Sequence, residues 1–164
     1  MSTSIVVTTA APEHTRQAAT AIASVLRAGD VVALNGDLGA GKTCFVQGAA
    51  AALGVTLPVT SPTFVLVKLL PATVPVVHVD VYRLTGVRHL DDLGEDVFAP
   101  DVITFVEWAD TIRDLLPPDR LEVELRHPEG DVGDATQRRI ELRAVGPGWA
   151  PRRPELEQAC APWR

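Results

Sequence analysis

Between an apolar run, Val31-Val32-Ala33-Leu34, and a helical pattern from Thr43 to Leu53 closed by Gly54, the chain reads Gly36-Asp37-Leu38-Gly39-Ala40-Gly41-Lys42-Thr43. Every fixed position of G-x-x-x-x-G-K-[ST] is filled, in the strand-to-helix setting that the pattern requires. No other feature constrains the fold as strongly, because the loop needs a strand to launch it and a helix whose positive end completes it. Its glycines permit the backbone turns that aim successive N–H groups inward as an anion nest. Gly36, Gly39, Ala40 and Gly41 then supply backbone to a polyphosphate, Lys42 a mobile positive charge for the β- and γ-phosphates, and Thr43 a hydroxyl for Mg²⁺. Cys44 closes this nucleotide-binding stretch, its thiol expected to pack as a small hydrophobe under the loop. Asp37 is expected to point outward, since a carboxylate repels phosphate.

Strand and helix signals alternate around the loop. Ser4 to Thr8 is a short β-branched run; Pro12 then suits a helix's first turn, and Ala18, Ile22, Val25 and Leu26 recur at helical spacing until Gly29. Phe64 to Leu70 and Val76 to Tyr82 read as two strands a hairpin apart, punctuated by Pro71 and Pro75. Asp101 to Val106 reads as a buried strand, followed by a short helical stretch that Pro117-Pro118 terminates. Leu121, Val123 and Leu125 alternate with Glu122, Glu124 and Arg126, and Ile140, Leu142 and Ala144 with Arg139, Glu141 and Arg143, the pattern of a half-exposed antiparallel pair. The expected class is α/β: a P-loop NTPase-like three-layer sandwich with a mixed, mainly parallel sheet and an antiparallel C-terminal strand pair. Its ligand is expected beyond the carboxyl ends of the central strands. A length of 164 residues suits one domain, over 1–145, with a proline-rich tail over 146–164 that is expected to lie on the surface or be disordered.

Magnesium also needs a carboxylate at a neighbouring strand end. Alternation puts His78, Asp80 and Tyr82 on one face of their strand, so Asp80 emerges near its C-terminal end, and the strand from Asp101 runs out into Glu107-Trp108. Asp80 and Glu107 are therefore the candidate acidic pair beside Lys42 and Thr43, and either could serve Mg²⁺, directly or through water. Thr63, in the turn-rich Thr60-Ser61-Pro62-Thr63-Phe64, suits a segment whose hydroxyl or backbone senses the γ-phosphate. His78 reads as a sheet residue and Trp108 as a packing residue beside the site. His14, His78, His89 and His127 form no i, i+4 metal pair.

Charge and composition narrow the class. A net charge of −6 works against broad contact with a nucleic-acid backbone, and the basic pairs Arg138-Arg139 and Arg152-Arg153 read as solvated surface charge. No apolar stretch approaches the ~20 residues that span a bilayer, the first residues do not resemble a signal peptide, and Cys44 and Cys160 form no Cys-x-x-Cys pair, so a cytoplasmic setting is expected. Asn35 is the only asparagine, which excludes the Asn-Lys-x-Asp guanine-reading motif.

Taken together, Gly-Asp-Leu-Gly-Ala-Gly-Lys-Thr at 36–43, Ser-Pro-Thr-Phe at 61–64, His-Val-Asp-Val-Tyr-Arg-Leu at 78–84 and Glu-Trp at 107–108 resemble the TsaE family. The resemblance covers about residues 4 to 145. It implies an ATP- and Mg²⁺-dependent ATPase of bacterial tRNA threonylcarbamoyladenosine synthesis. Such an enzyme works on the TsaD and TsaB proteins that modify adenosine 37 and touches tRNA only through that complex. It also implies that Lys42 and Thr43 bind phosphate and Mg²⁺, that Glu107 is the metal-side acid, that Asp80 serves hydrolysis and that Thr63 is switch-like. Lys68-Leu69-Leu70 departs from the aromatic pair common after Ser-Pro-Thr-Phe, as does the proline-rich end. No arginine finger in cis is identifiable, Arg83 being the candidate, so slow hydrolysis in isolation is expected. A small-metabolite kinase and a nucleotide-sensing module without useful hydrolysis are the alternative readings of the residues.

Overall fold

The structure, a computed structural model, describes residues 3–61, 66–82, 90–128 and 135–164. In chain order it forms β1 (Ile5–Thr9), α1 (Pro12–Ala23), β2 (Val31–Asn35), α2 (Lys42–Ala52), β3 (Val67–Leu70), β4 (Val76–Asp80), β5 (Ile103–Glu107), β6 (Arg120–Arg126), β7 (Arg138–Val145) and α3 (Arg153–Cys160). Among the described residues the strands make one sheet in the order β1-β7-β6-β2-β5-β4-β3. Its middle is parallel, β6 on β2, β2 on β5 and β5 on β4. The flanks are antiparallel: β3 folds back on β4 as the expected hairpin, β7 on β6, and β1 on β7.

Burial explains the arrangement. The apolar runs of β2, β4 and β5 are buried on both faces, as parallel strands under two covering layers must be. Val32 and Leu34 face α2, against Phe45 and Ala49, whereas Ala33 joins Val79 and Val106 on the opposite face. β6 alternates instead, with Leu121, Val123 and Leu125 inward and Glu122 and Glu124 only partly covered. α1 and α2 meet closely at Gly48, where a side-chain carbon would come within 2.3 Å of Arg16 O and where Thr20 Oγ1 donates to Gly48 O at 3.0 Å.

Among the described residues no α-helix lies on the opposite face. Two 3₁₀ segments, Leu90–Leu93 and Ala109–Leu115, cover it around β2, β5 and β4. The stretch after Trp108 breaks helical geometry at Ile112 (φ −120°, ψ 30°), and Leu116, which precedes Pro117, is extended (ψ 142°), as a pre-proline residue is expected to be. α1 also ends earlier than the apolar spacing suggested. Ser24 Oγ bonds back to Ala21 O at 2.6 Å, and Val25 and Leu26 continue as tight turns rather than helix.

The C-terminal segment corrects the expectation of a surface-lying or disordered tail. Trp149, Leu156 and Cys160 are at most 2% exposed and belong to the same apolar cluster as α1 and α2. Pro151 and Pro154 fall in first turns, where a missing N–H costs nothing, so proline here starts helices instead of preventing them. Arg152, read as solvated, is buried: its Nη1 and Nη2 bind Asp30 at 2.9 and 2.6 Å, Nη2 also donates to Val25 O, and the guanidinium lies over the Trp149 ring. Among the described residues no helix is long and apolar enough to cross a membrane.

Candidate functional site

The carboxyl ends of β2, β5 and β4 lie side by side, with Leu34 opposite Glu107 and Glu107 opposite Asp80 in register. The phosphate-loop sequence leaves β2 here and enters α2 at Lys42. Gly36 holds φ +145°, and a side-chain carbon on it would come within 2.4 Å of Leu125 O; Gly41 caps α2 at φ +106°, left-handed backbone. The loop therefore needs glycine at both positions, and the unpaired amides of the first turn of α2 face its hollow.

Lys42 is 5% exposed. Its Nζ donates to Gly36 O at 2.6 Å and Asp37 O at 2.9 Å and lies 3.9 Å from the centre of the Trp108 ring. Burial pulls its pKa below the ordinary lysine value, outweighing Glu107, Asp80 and Asp37, whose charges pull it up. Asp37 itself is exposed, as expected. Trp108 takes left-handed backbone (φ 61°), rare for a bulky residue, and its ring stacks on Tyr82 with centroids 4.6 Å apart. It is thus a wall of the site rather than only a packing residue.

The two carboxylates are held differently. Glu107, 3% exposed, accepts from Thr43 Oγ1 at 2.8 Å on Oε1, while its Oε2 lies 2.5 Å from Nε2 of the fully buried His78. An ionised carboxylate only accepts, so Nε2 is the donor. Among the described residues Nδ1 of that imidazole has no partner. Asp80, 7% exposed, accepts from Tyr82 N at 2.8 Å and from Ser61 Oγ at 3.2 Å. Together with Leu38, Lys42, Thr43 and Trp108, these acids border a cleft of about 370 Å³.

Thr43, Glu107, Asp80, Lys42 and the loop glycines are therefore assembled in one place. Cys44 is half-buried against α1, its Sγ donating to Pro12 O at 3.3 Å and accepting from Arg16 Nη1 at 3.5 Å, and burial pushes its thiol pKa up. Only its backbone is placed to serve the loop. Thr63 and Arg83 lie outside the described residues. Sequence reasoning undervalued His78, although alternation put it on the face of Asp80. It also read Arg138 as surface charge, whereas its guanidinium bonds to the loop carbonyls of Gly39 and Ala40. Among the described residues no cluster of three or more His, Cys, Asp and Glu side chains could hold a metal by itself. Thr43 and Glu107 nevertheless suit Mg²⁺, which typically takes one or two carboxylates and completes its shell with phosphate oxygens and water.

Comparison with known proteins decides the family. The model of the threonylcarbamoyl adenosine biosynthesis protein TsaE matches residues 9–140. The chain belongs to the TsaE family. It is 41% identical over 133 residues to the tRNA threonylcarbamoyladenosine biosynthesis protein TsaE of Streptomyces coelicolor, covering 79% of this chain and 89% of that one. It is 39% identical over 137 residues to the TsaE protein of Bacillus subtilis, covering 82% of each. The crystal structure of Bacillus subtilis YdiB superposes with a TM-score of 0.79 at 34% identity, over 96% of this chain and 97% of that one. The family match thus spans the phosphate loop, β4 and β5, which carry Lys42, Thr43, Asp80 and Glu107.

Proposed function

We propose that the chain is an ATPase of tRNA threonylcarbamoyladenosine formation that binds ATP with Mg²⁺ and hydrolyses it slowly alone and faster beside partner proteins resembling TsaD and TsaB. tRNA is contacted only through that complex, in the cytoplasm. The observation that carries this reading is the bond between Thr43 Oγ1 and Glu107 Oε1 at 2.8 Å, formed across the mouth of a phosphate loop with Asp80 in register beside it. The amides of Gly39 and of Gly41 to Cys44 would donate to the phosphate oxygens, and Lys42 would exchange its two neutral carbonyl partners for charged ones, a stronger type of bond. Thr43 and Glu107 would hold the metal, with His78 keeping Glu107 in place from behind. When bound, Mg²⁺ neutralises charge that develops on the β- and γ-oxygens. Asp80, which accepts from Ser61 and the Tyr82 amide, would orient an attacking water and accept its proton.

Among the described residues no arginine reaches into the cleft, and an arginine finger is worth ~10³–10⁵ in rate, so slow turnover alone is expected. The test is ATP turnover by the purified chain with and without reconstituted partners, together with repeated tRNA modification. Acceleration by partners, with repeated modification sustained by MgATP and not by a non-hydrolysable analogue, supports the reading. An unchanged rate, or modification equally sustained by the analogue, contradicts it.

A further inference from the structure

β7 begins at the rim of the phosphate loop, and its first residue is Arg138. Among the described residues every bond of that half-buried guanidinium goes to a backbone carbonyl. Nε donates to Ala40 O at 2.9 Å and Nη2 to Gly39 O at 3.1 Å, while Nη1 donates to Ala135 O at 2.7 Å and Gln137 O at 2.8 Å. The other described arginines of β6 and β7 behave differently: Arg120, Arg126, Arg139 and Arg143 each pair with Glu122, Glu124 or Glu141. Among the described residues Arg138 has no carboxylate partner. It thus stands, without a described counter-ion, beside a loop built to receive anions.

The bonds also bear on the loop's shape. In a trans peptide the carbonyl and the following N–H point to opposite sides, so fixing Ala40 O toward Arg138 fixes Gly41 N–H away from it. Gly39 and Gly41 lie at φ +79° and +106°, and glycine resists few other conformations, so the stretch needs an external hold to keep one. Arg138 supplies that hold from 98 residues away, through a fork fixed in geometry at its other end by Ala135 and Gln137. It does not border the cleft of Lys42 and Glu107.

We propose that Arg138 is a positioning residue for the triphosphate: by holding the Gly39 and Ala40 carbonyls it keeps the Gly41 amide set for phosphate, and it contributes a positive charge whose counter-ion is the nucleotide. This rests on the phosphate-loop reading above. The test uses the full chain with Arg138→Gln, which removes charge and most of the fork, and Arg138→Lys, which keeps the charge and loses the fork. Affinity for MgATP and MgADP is measured by calorimetry, KM and kcat by turnover, and unfolding without nucleotide by thermal melting.

Arg138→Gln is expected to weaken both nucleotides about tenfold or more and to raise KM, with kcat within about twofold of wild type and the nucleotide-free melt unchanged. Arg138→Lys is expected to recover only part of the affinity. Wild-type affinity in Arg138→Gln, a loss that merely follows a lowered melting temperature, or full recovery by Arg138→Lys would overturn the brace. A wild-type chain that binds no nucleotide would instead overturn the phosphate-loop reading, and the brace with it.

Discussion

Arg152 and Lys42 are both buried cations lying over a tryptophan ring, at 4.0 and 3.9 Å from the ring centre, yet they are neutralised in different ways. Arg152 meets both oxygens of Asp30 and joins the C-terminal segment to the turn before β2. Lys42 meets two carbonyls, with Glu107, Asp80 and Asp37 acting only at a distance. A buried charge is costly unless it is paired. The protein satisfies one cation internally where the chain end docks, and leaves the other short of an anion where the loop opens. The contrast separates a residue that holds the fold from one whose partner is to be a ligand.

The largest expected effect tests the first half of that contrast. Arg152→Met breaks the ion pair and leaves the largely covered Asp30 carboxylate with the Arg27 amide alone, so chemical denaturation should show a loss of about 3–5 kcal/mol, with nucleotide affinity unchanged when measured below the melting transition. A loss under about 1 kcal/mol would make the pair incidental. Lys42→Ala should do the reverse: turnover should fall by roughly 10²–10³-fold, the range for removing one preorganised electrostatic group. Its melting temperature should hold or rise, because a desolvated ammonium has been removed; a large fall in stability would erase the distinction.

The smallest effect is a pH dependence. Burial lowers the Lys42 pKa, so between that depressed value and 10.5 the unfolded chain binds more protons than the folded one, and stability rises with pH across this window. The penalty for burying the charge is complete below the window and fades as pH climbs through it. The stability gap between wild type and Lys42→Met should therefore narrow there. Phosphate favours the protonated amine, so ATP affinity should fall over the same range, by at most about tenfold per pH unit, the slope of one proton. Parallel stability curves for the two proteins would show that Lys42 does not titrate as described.

Much of this was legible before the structure, and the reasons are physical. The strands around the loop carry strong apolar signals, and a phosphate loop admits few settings, so the sheet's middle, Lys42, Thr43, Asp80 and Glu107 followed from local pattern. The C-terminal clasp did not, because the same prolines that interrupt a helix also start one, and only contact with α1 decides between the two. His78 was hidden because a buried histidine in a strand looks alike whether it packs or holds a carboxylate. Arg138 was hidden because its partners are backbone carbonyls, which leave no trace in residue identity. The 3₁₀ layer escaped because its apolar residues, Ala109 and Ile112, have helical spacing while the backbone at Ile112 does not.

In the proposed reaction Thr43 and Glu107 hold the metal that accompanies the triphosphate. Calorimetric titration of wild type, Thr43→Ala and Glu107→Gln with ATP, in Mg²⁺ and in chelator, tests it most directly. Tighter binding with Mg²⁺ in wild type, with that gain lost in both variants while metal-free affinity persists, is the predicted result. The same gain from Mg²⁺ in all three proteins would contradict it.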